Sequence, residues 1–212
     1  MGGLDAIVFD TKNLTLQSDD GGERVWVSGA GDVVTLYYLT KRQSLRAVPE
    51  ELDSIRAASR QQAARYGGAI VEVDLCVLNG AAAVREILKI PDRYGLFRLV
   101  VDPACRLRLL AVGGGYLLSV PGREKGVTGV RDTAIFAKLM QSGEIAFGEE
   151  GDSPKNWMGD PYDASIVGVP ARNRADDEAY DSQFPDHPLS RVRALMRQIE
   201  SSLRISGLAS PG

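Results

Sequence analysis

Histidine occurs once in this chain, as His187, and cysteine twice, as Cys76 and Cys105. One histidine excludes paired-histidine metal motifs within a monomer. Two cysteines without a Cys-x-x-Cys spacing argue against a zinc site and a disulfide framework, and read as small apolar residues in a reducing cytosol. Long apolar runs are missing too. The stretch from Leu109 to Val120 is the longest uncharged apolar one, is broken by Gly113-Gly114-Gly115, and falls short of the ~18 residues that argue for a membrane span. The opening Met1 to Asp10 has no basic region ahead of its apolar residues, so it does not read as a secretory signal. Ala6 stands where a myristoylation pattern needs Ser or Thr. Charge of one sign is absent as well: 25 Lys and Arg face 28 Asp and Glu, a net charge of −3, which gives no general attraction to nucleic acid or anionic lipid. The expectation is a cytoplasmic protein bound to neither membrane nor nucleic acid.

Phosphate and nucleophile motifs fail in the same way. Gly29-Ala30-Gly31 has Val34 where a third glycine should fall, no Gly-x-x-x-x-Gly-Lys occurs, and no Gly-x-Ser-x-Gly elbow exists. No cofactor is expected.

What is present is an ordinary globular composition, 44% hydrophobic and 25% charged, with alternating segments before residue 148 and a polar stretch after it. Leu14 and Leu16 alternate with polar residues, Asp19-Asp20-Gly21-Gly22 reads as a turn, and Val25 and Val27 alternate with Arg24, Trp26 and Ser28. Val33 to Leu39 is apolar on both faces, as in a central strand. Pro49 to Tyr66 reads as a helix, with Leu52, Ile55, Ala63 and Tyr66 on one stripe and Gly67-Gly68 as its C-cap.

Ala69 to Leu78 reads as a strand, and Asn79-Gly80 as a type I′ hairpin turn. That turn places Asp74 opposite Arg85, with Glu72 diagonal to it, a charge register favourable to a strand over Ala81 to Ile90. Glu86 is the misfit on the other, apolar face and suggests an exposed end. Strands are further expected over Gly95–Val101, Cys105–Val112 and Tyr116–Val120, separated by Asp102-Pro103 and the glycine triplet. Thr128 to Ser142 and Leu189 to Leu203 read as helices. The sum is α+β: a mostly antiparallel sheet covered by about three helices. Residues 1–147 form the core, and residues 148–212, a polar tail and final helix, pack on it within the same domain.

Two stretches carry a resemblance. Gly80-Ala-Ala-Ala-Val-Arg-Glu-Ile-Leu-Lys-Ile-Pro91, following helix and strand, is similar to small bacterial proteins with the PsbP-like α+β fold. Gly126-Val-Thr-Gly-Val-Arg-Asp132, Trp157-Met-Gly-Asp-Pro-Tyr-Asp163 and Asp176-Asp-Glu-Ala-Tyr-Asp-Ser-Gln-Phe-Pro-Asp-His-Pro-Leu-Ser-Arg191 resemble a tail shared by a family of uncharacterised bacterial proteins. The PsbP-like fold serves mainly for binding, so the resemblance implies an interaction role.

The candidate residues crowd the tail. Trp157, Tyr162, Tyr180 and Phe184 are aromatics in a polar stretch and must pack on the body or on a partner. Asp160, Asp163 and Asp186 lie among them as binding candidates. Asp176, Asp177 and Asp181 could hold a divalent cation through oxygen, although their spacing matches no EF-hand loop. His187, before the last helix, is the one catalytic candidate and more simply shapes the start of that helix. Arg193, Arg197 and Arg204 read as solvated helix charge rather than a nucleic-acid surface. The functional expectation is a non-enzymatic binding or accessory protein that holds a protein partner through its sheet face or aromatic tail. The alternative is a metal-dependent hydrolase built on the tail carboxylates and His187.

Overall fold

The computed structural model describes residues 3–39, 52–91, 101–111, 114–123, 129–148, 154–166 and 172–206. Three turns, at Asp20–Gly22, Gly29–Asp32 and Asn79–Gly80, fold alternating segments into strands. Along the chain these are β1 (Ile7–Val8), β2 (Leu14–Asp19), β3 (Glu23–Ser28), β4 (Val33–Leu39), β5 (Ala69–Leu78), β6 (Ala81–Pro91), β7 (Val101–Ala111) and β8 (Gly114–Pro121). Strands β2 to β8 form one antiparallel sheet, in the order β2-β3-β4-β8-β7-β6-β5. Three helices accompany it: α1 (Leu52–Arg65), α2 (Val130–Gln141) and α3 (Pro188–Ser202). The short β9 (Met158–Gly159) pairs with β10 (Arg172–Asn173), and β11 (Arg204–Ile205) pairs with β1. The fold is thus α+β with antiparallel sheets and three helices. Among the described residues no helix is long and apolar enough to cross a membrane.

The Asn79-Gly80 turn has both residues at positive φ, 48° and 81°, as a type I′ hairpin requires. It sets Leu78 against Ala81, Cys76 against Ala83 and Asp74 against Arg85. The strand expected over residues 81–90 is therefore present. Period-two alternation then divides β6 between two cores. Ala83 and Ile87 join the cluster under α3, where Leu189, Val192, Met196 and Ile199 pack on Trp26, Leu36 and Leu118. Val84 and Leu88 join the cluster under α1, with Ile55, Ala63, Ile70 and Val73. Each fully buried aliphatic side chain here contributes about 1.5–3 kcal/mol.

Several expectations need correction. A bulge between Ile70 and Glu72 shifts the hairpin register, so Ile70, not Val71, faces Leu88. The bulge reverses the alternation, which lets Ile70 and Val73 both reach the α1 core although they stand three positions apart. Glu86 does not mark an exposed end: it is 1% exposed, because α1 covers its face and β7 continues the sheet beyond β6, with Arg106 as its register partner. In β3 the buried residue is Trp26, while Val25 and Val27 are only half-buried. Tyr66 lies past the end of α1 and is 47% exposed, so it leaves the apolar stripe.

Asp102-Pro103 does not interrupt a strand. β7 runs through it, because β8 ends opposite Ala104. At Pro103 the strand has β6 alone as neighbour, where a missing N–H is tolerated. Residues 92–100, which hold most of the strand expected at Gly95–Val101, lie outside the described residues, as do Pro49 to Glu51 and Thr128. Gly129, at φ 73°, precedes α2 in the N-cap position. Gly68 allows a close approach: a Cβ there would lie 2.1 Å from the Lys89 carbonyl oxygen.

Candidate functional site

The polar tail is tied to the body by ion pairs between its carboxylates and cations from earlier elements. Asp160 receives Arg60 of α1 through two hydrogen bonds, 2.7 and 2.9 Å. Burial pulls the Asp160 carboxyl upward, but the Arg60 bonds and the Tyr162 and Asp163 amides outweigh it and hold the group below the usual carboxylate range. Asp176 receives Lys89 of β6 at 2.8 and 3.0 Å, and its other role is to accept the Asn173 amide. Asp181 receives Arg131 of α2 at 2.9 Å and Arg193 of α3 at 3.2 Å. Arg131 is 1% exposed and also donates to Ser190 Oγ and to the carbonyls of Ala175 and Asp177.

Two of the metal candidates are therefore occupied by protein cations. A divalent ion at Asp176 would have to displace the Lys89 ammonium. Among the described residues no three His, Cys, Asp or Glu side chains come together as a metal-holding group. Asp177 sits apart from Asp176 and Asp181: it is exposed, caps a short turn through Ala179, and meets Arg172 at 3.4 Å.

His187 is the N-cap of α3, its Nδ1 accepting the Leu189 amide at 3.3 Å. Burial, with Arg131 and Lys89 nearby, pushes its pKa down to about 4. The ring is thus a neutral acceptor at neutral pH, and it shapes the helix start. Asp186 is exposed, with its carbonyl taking Arg191. Asp163 is exposed and bonds Ser165.

The aromatics pack on the body. Trp157 and the half-buried Tyr180 and Phe184 join Ile135 and Leu139 of α2 in a third cluster. Trp157 stands edge-on to Phe136 with centroids 5.1 Å apart. Tyr162 covers the open edge of β5. Its hydroxyl accepts the Val73 amide at 2.7 Å and donates to Asp74 at 3.2 Å. Arg56 lies 3.6 Å over its ring and donates to the Val73 carbonyl. Tyr162→Phe is expected to lower stability by about 0.5–1.5 kcal/mol, read as a shift in the urea midpoint; an unchanged midpoint would mean that water replaces the hydroxyl at no loss.

The β9–β10 ribbon builds a cleft of about 290 Å³ beside this cluster. Trp157 and Asp160 line one side, Arg172 and Arg174 the other, with Asp177 and Tyr180 completing it. The structure thus gathers three of the seven expected binding residues, Trp157, Asp160 and Tyr180, and leaves Tyr162, Asp163, Phe184 and Asp186 outside the lining. Arg172 and Arg174 were not anticipated. Each is partly exposed and meets a more exposed carboxylate, Asp177 for Arg172 and Glu144 at 2.6 Å for Arg174. Such exposed pairs contribute about 0–1 kcal/mol, so either arginine can exchange its partner at little loss. Arg193 corrects the reading of α3: at 6% exposed it is a buried anchor, not solvated charge.

No protein-family model matches the chain, and no curated protein matches its sequence.

Proposed function

We propose that this chain is a non-enzymatic binding protein whose cleft between Trp157 and Arg174 holds an acidic segment of a protein partner. One observation carries the reading: the cleft sets two exchangeable arginines, Arg172 and Arg174, around aromatic walls, while the groups that might do chemistry are engaged in the fold. Arginine forks suit carboxylate geometry, and aromatic and arginine residues anchor protein interfaces. The PsbP-like likeness of residues 80–91, the family resemblance of the tail and a cytoplasmic location belong to the same reading. The hydrolase alternative would need Asp176 and Asp181 to exchange Lys89, Arg131 and Arg193 for a metal ion, with buried charges left behind.

The test is cross-linked capture with the whole chain and with Arg172→Glu/Arg174→Glu. The expected result is a reproducible partner whose affinity falls about tenfold or more on charge reversal, with the melting temperature unchanged. Capture that ignores the reversal, or turnover of a phosphoester or peptide that rises with added divalent metal, would overturn it.

A further inference from the structure

The floor of the β9–β10 cleft restricts what can lie in it. In the ribbon Arg172 stands opposite Gly159 and Asn173 opposite Met158. The ladder runs one residue further, with the Arg174 amide donating to the Trp157 carbonyl at 3.0 Å. Asn173, between the arginines, is extended at φ −101° and ψ 167°. Alternation then puts Trp157, Gly159, Arg172 and Arg174 on one face, and all four line the cleft. It turns Asn173 the other way, where it is buried and donates to Asp132. The two arginines are thus two positions apart along one strand, about 7 Å.

Of those four residues Gly159 alone has no side chain, and nothing in its own surroundings requires glycine. Its φ is not positive, and a Cβ there would meet nothing within 4 Å. Glycine weakens a strand, and it often marks a place where a ligand or another backbone comes close. Here it leaves a notch beside Arg172 in which a chain can lie against the ribbon. The cleft, at about 290 Å³, is too small for a helix, one turn of which fills more than about 400 Å³ at a diameter of about 10 Å and a pitch of about 5.4 Å. An extended chain is narrower, and it also matches the arginines. Its alternate side chains fall on one side, again about 7 Å apart, so two acidic residues separated by one other can meet Arg172 and Arg174 together. Adjacent acidic residues point to opposite sides and offer only one carboxylate. Asp177 and Glu144, which the arginines hold now, have side chains 54% and 50% exposed, so they can turn into water as arriving carboxylates replace them. Asp160, across the cleft, is neutralised by Arg60.

We infer, resting on the binding role proposed above, that the cleft selects an extended acid-x-acid segment: two Asp or Glu residues with one residue between them, one carboxylate on Arg172 and the other on Arg174. Gly159 is a specificity-determining residue, because its missing side chain leaves room for the segment's backbone beside Arg172.

Fluorescence anisotropy on the full chain tests this with short labelled peptides, blocked at both ends, that carry two glutamates in a Gly-Ser background as Glu-x-Glu, Glu-Glu or Glu-x-x-x-Glu. Glu-x-Glu is expected to bind with Kd about 100 μM or lower, and about tenfold or more tighter than either other spacing. Gly159→Val is expected to keep the melting temperature, since its side chain enters open space and valine suits a strand, yet to weaken Glu-x-Glu about tenfold or more by obstruction. Arg172→Gln or Arg174→Gln alone is expected to remove the preference for spacing, which decides the matter even if Gly159→Val fails to fold. Equal affinity for the three spacings, a folded Gly159→Val that binds as the parent does, or no saturable binding of Glu-x-Glu up to about 1 mM would overturn the acid-x-acid form. The binding role itself would still stand wherever Arg172→Glu/Arg174→Glu abolishes capture of a partner. Peptide binding that ignores that charge reversal would overturn both.

Discussion

Arg131→Met is expected to lower the unfolding free energy by about 3–5 kcal/mol, the loss that follows when one partner of a buried ion pair is removed. Methionine fills much of the same space, so the effect is electrostatic rather than a cavity. It strands Asp181 and the Ala175 and Asp177 carbonyls, which Arg131 meets at 2.9, 2.6 and 2.8 Å. Arg193 still reaches Asp181 at 3.2 Å, which places the loss toward the lower end of that range. Against a total stability of about 5–15 kcal/mol for a typical protein, even that is a large share. Arg131→Lys should rescue little, because one ammonium cannot reproduce a fork that serves four acceptors. Guanidinium unfolding curves measure both. A shift under about 1 kcal/mol would show that the tail does not rest on Arg131.

The second large effect is on pH dependence. His187 is neutral in the fold with a pKa of about 4, against 6.5 in an unstructured chain. Between those values the unfolded state binds the proton and the folded state resists it, so stability rises with pH. The His187 contribution is fully present above pH 6.5 and is lost as pH falls toward 4, at no more than about 1.4 kcal/mol per pH unit. The ring is only partly buried, and solvent screening reduces the total to about 2 kcal/mol. His187→Asn keeps an acceptor at the N-cap and removes the titration. Its stability is expected to match the parent within about 1 kcal/mol at pH 7 and to fall less steeply between pH 6.5 and 4. Parallel curves for the two proteins would refute the assignment.

How far these features could be read from the residues depends on how local their causes are. Asn79-Gly80 announces its hairpin because positive φ at two adjacent residues suits few other pairs. Pro188 and the spacing from Leu189 to Leu203 announce α3 because both act within a turn or two. The bulge at Ile70–Glu72 leaves no mark of its own, since it answers to what packs above and below β5. The burial of Glu86 is equally silent, because it depends on a neighbouring strand in the sheet and on a helix over its face. In the tail, the aromatic residues correctly point to packing on the body, and three of them frame or support the cleft. The carboxylates mislead: a row of aspartates looks like a solvated or metal-binding loop until Lys89, Arg60 and Arg131, distant in sequence, arrive beside them. One clue to Arg131 is present. A cation in the first turn of α2 opposes the helix dipole, so something else must favour it there.

The Tyr162 hydroxyl and the Arg56 guanidinium close the outer border of the sheet at Val73, and one of the two is supplied nearly ninety positions downstream. During synthesis the β5–β6 hairpin leaves the ribosome well before Tyr162 is made. Through that interval the Val73 amide is open to any neighbouring nascent chain, and such unpaired borders template intermolecular pairing. Release of chains truncated before residue 160 should therefore give aggregates that the full-length product does not form.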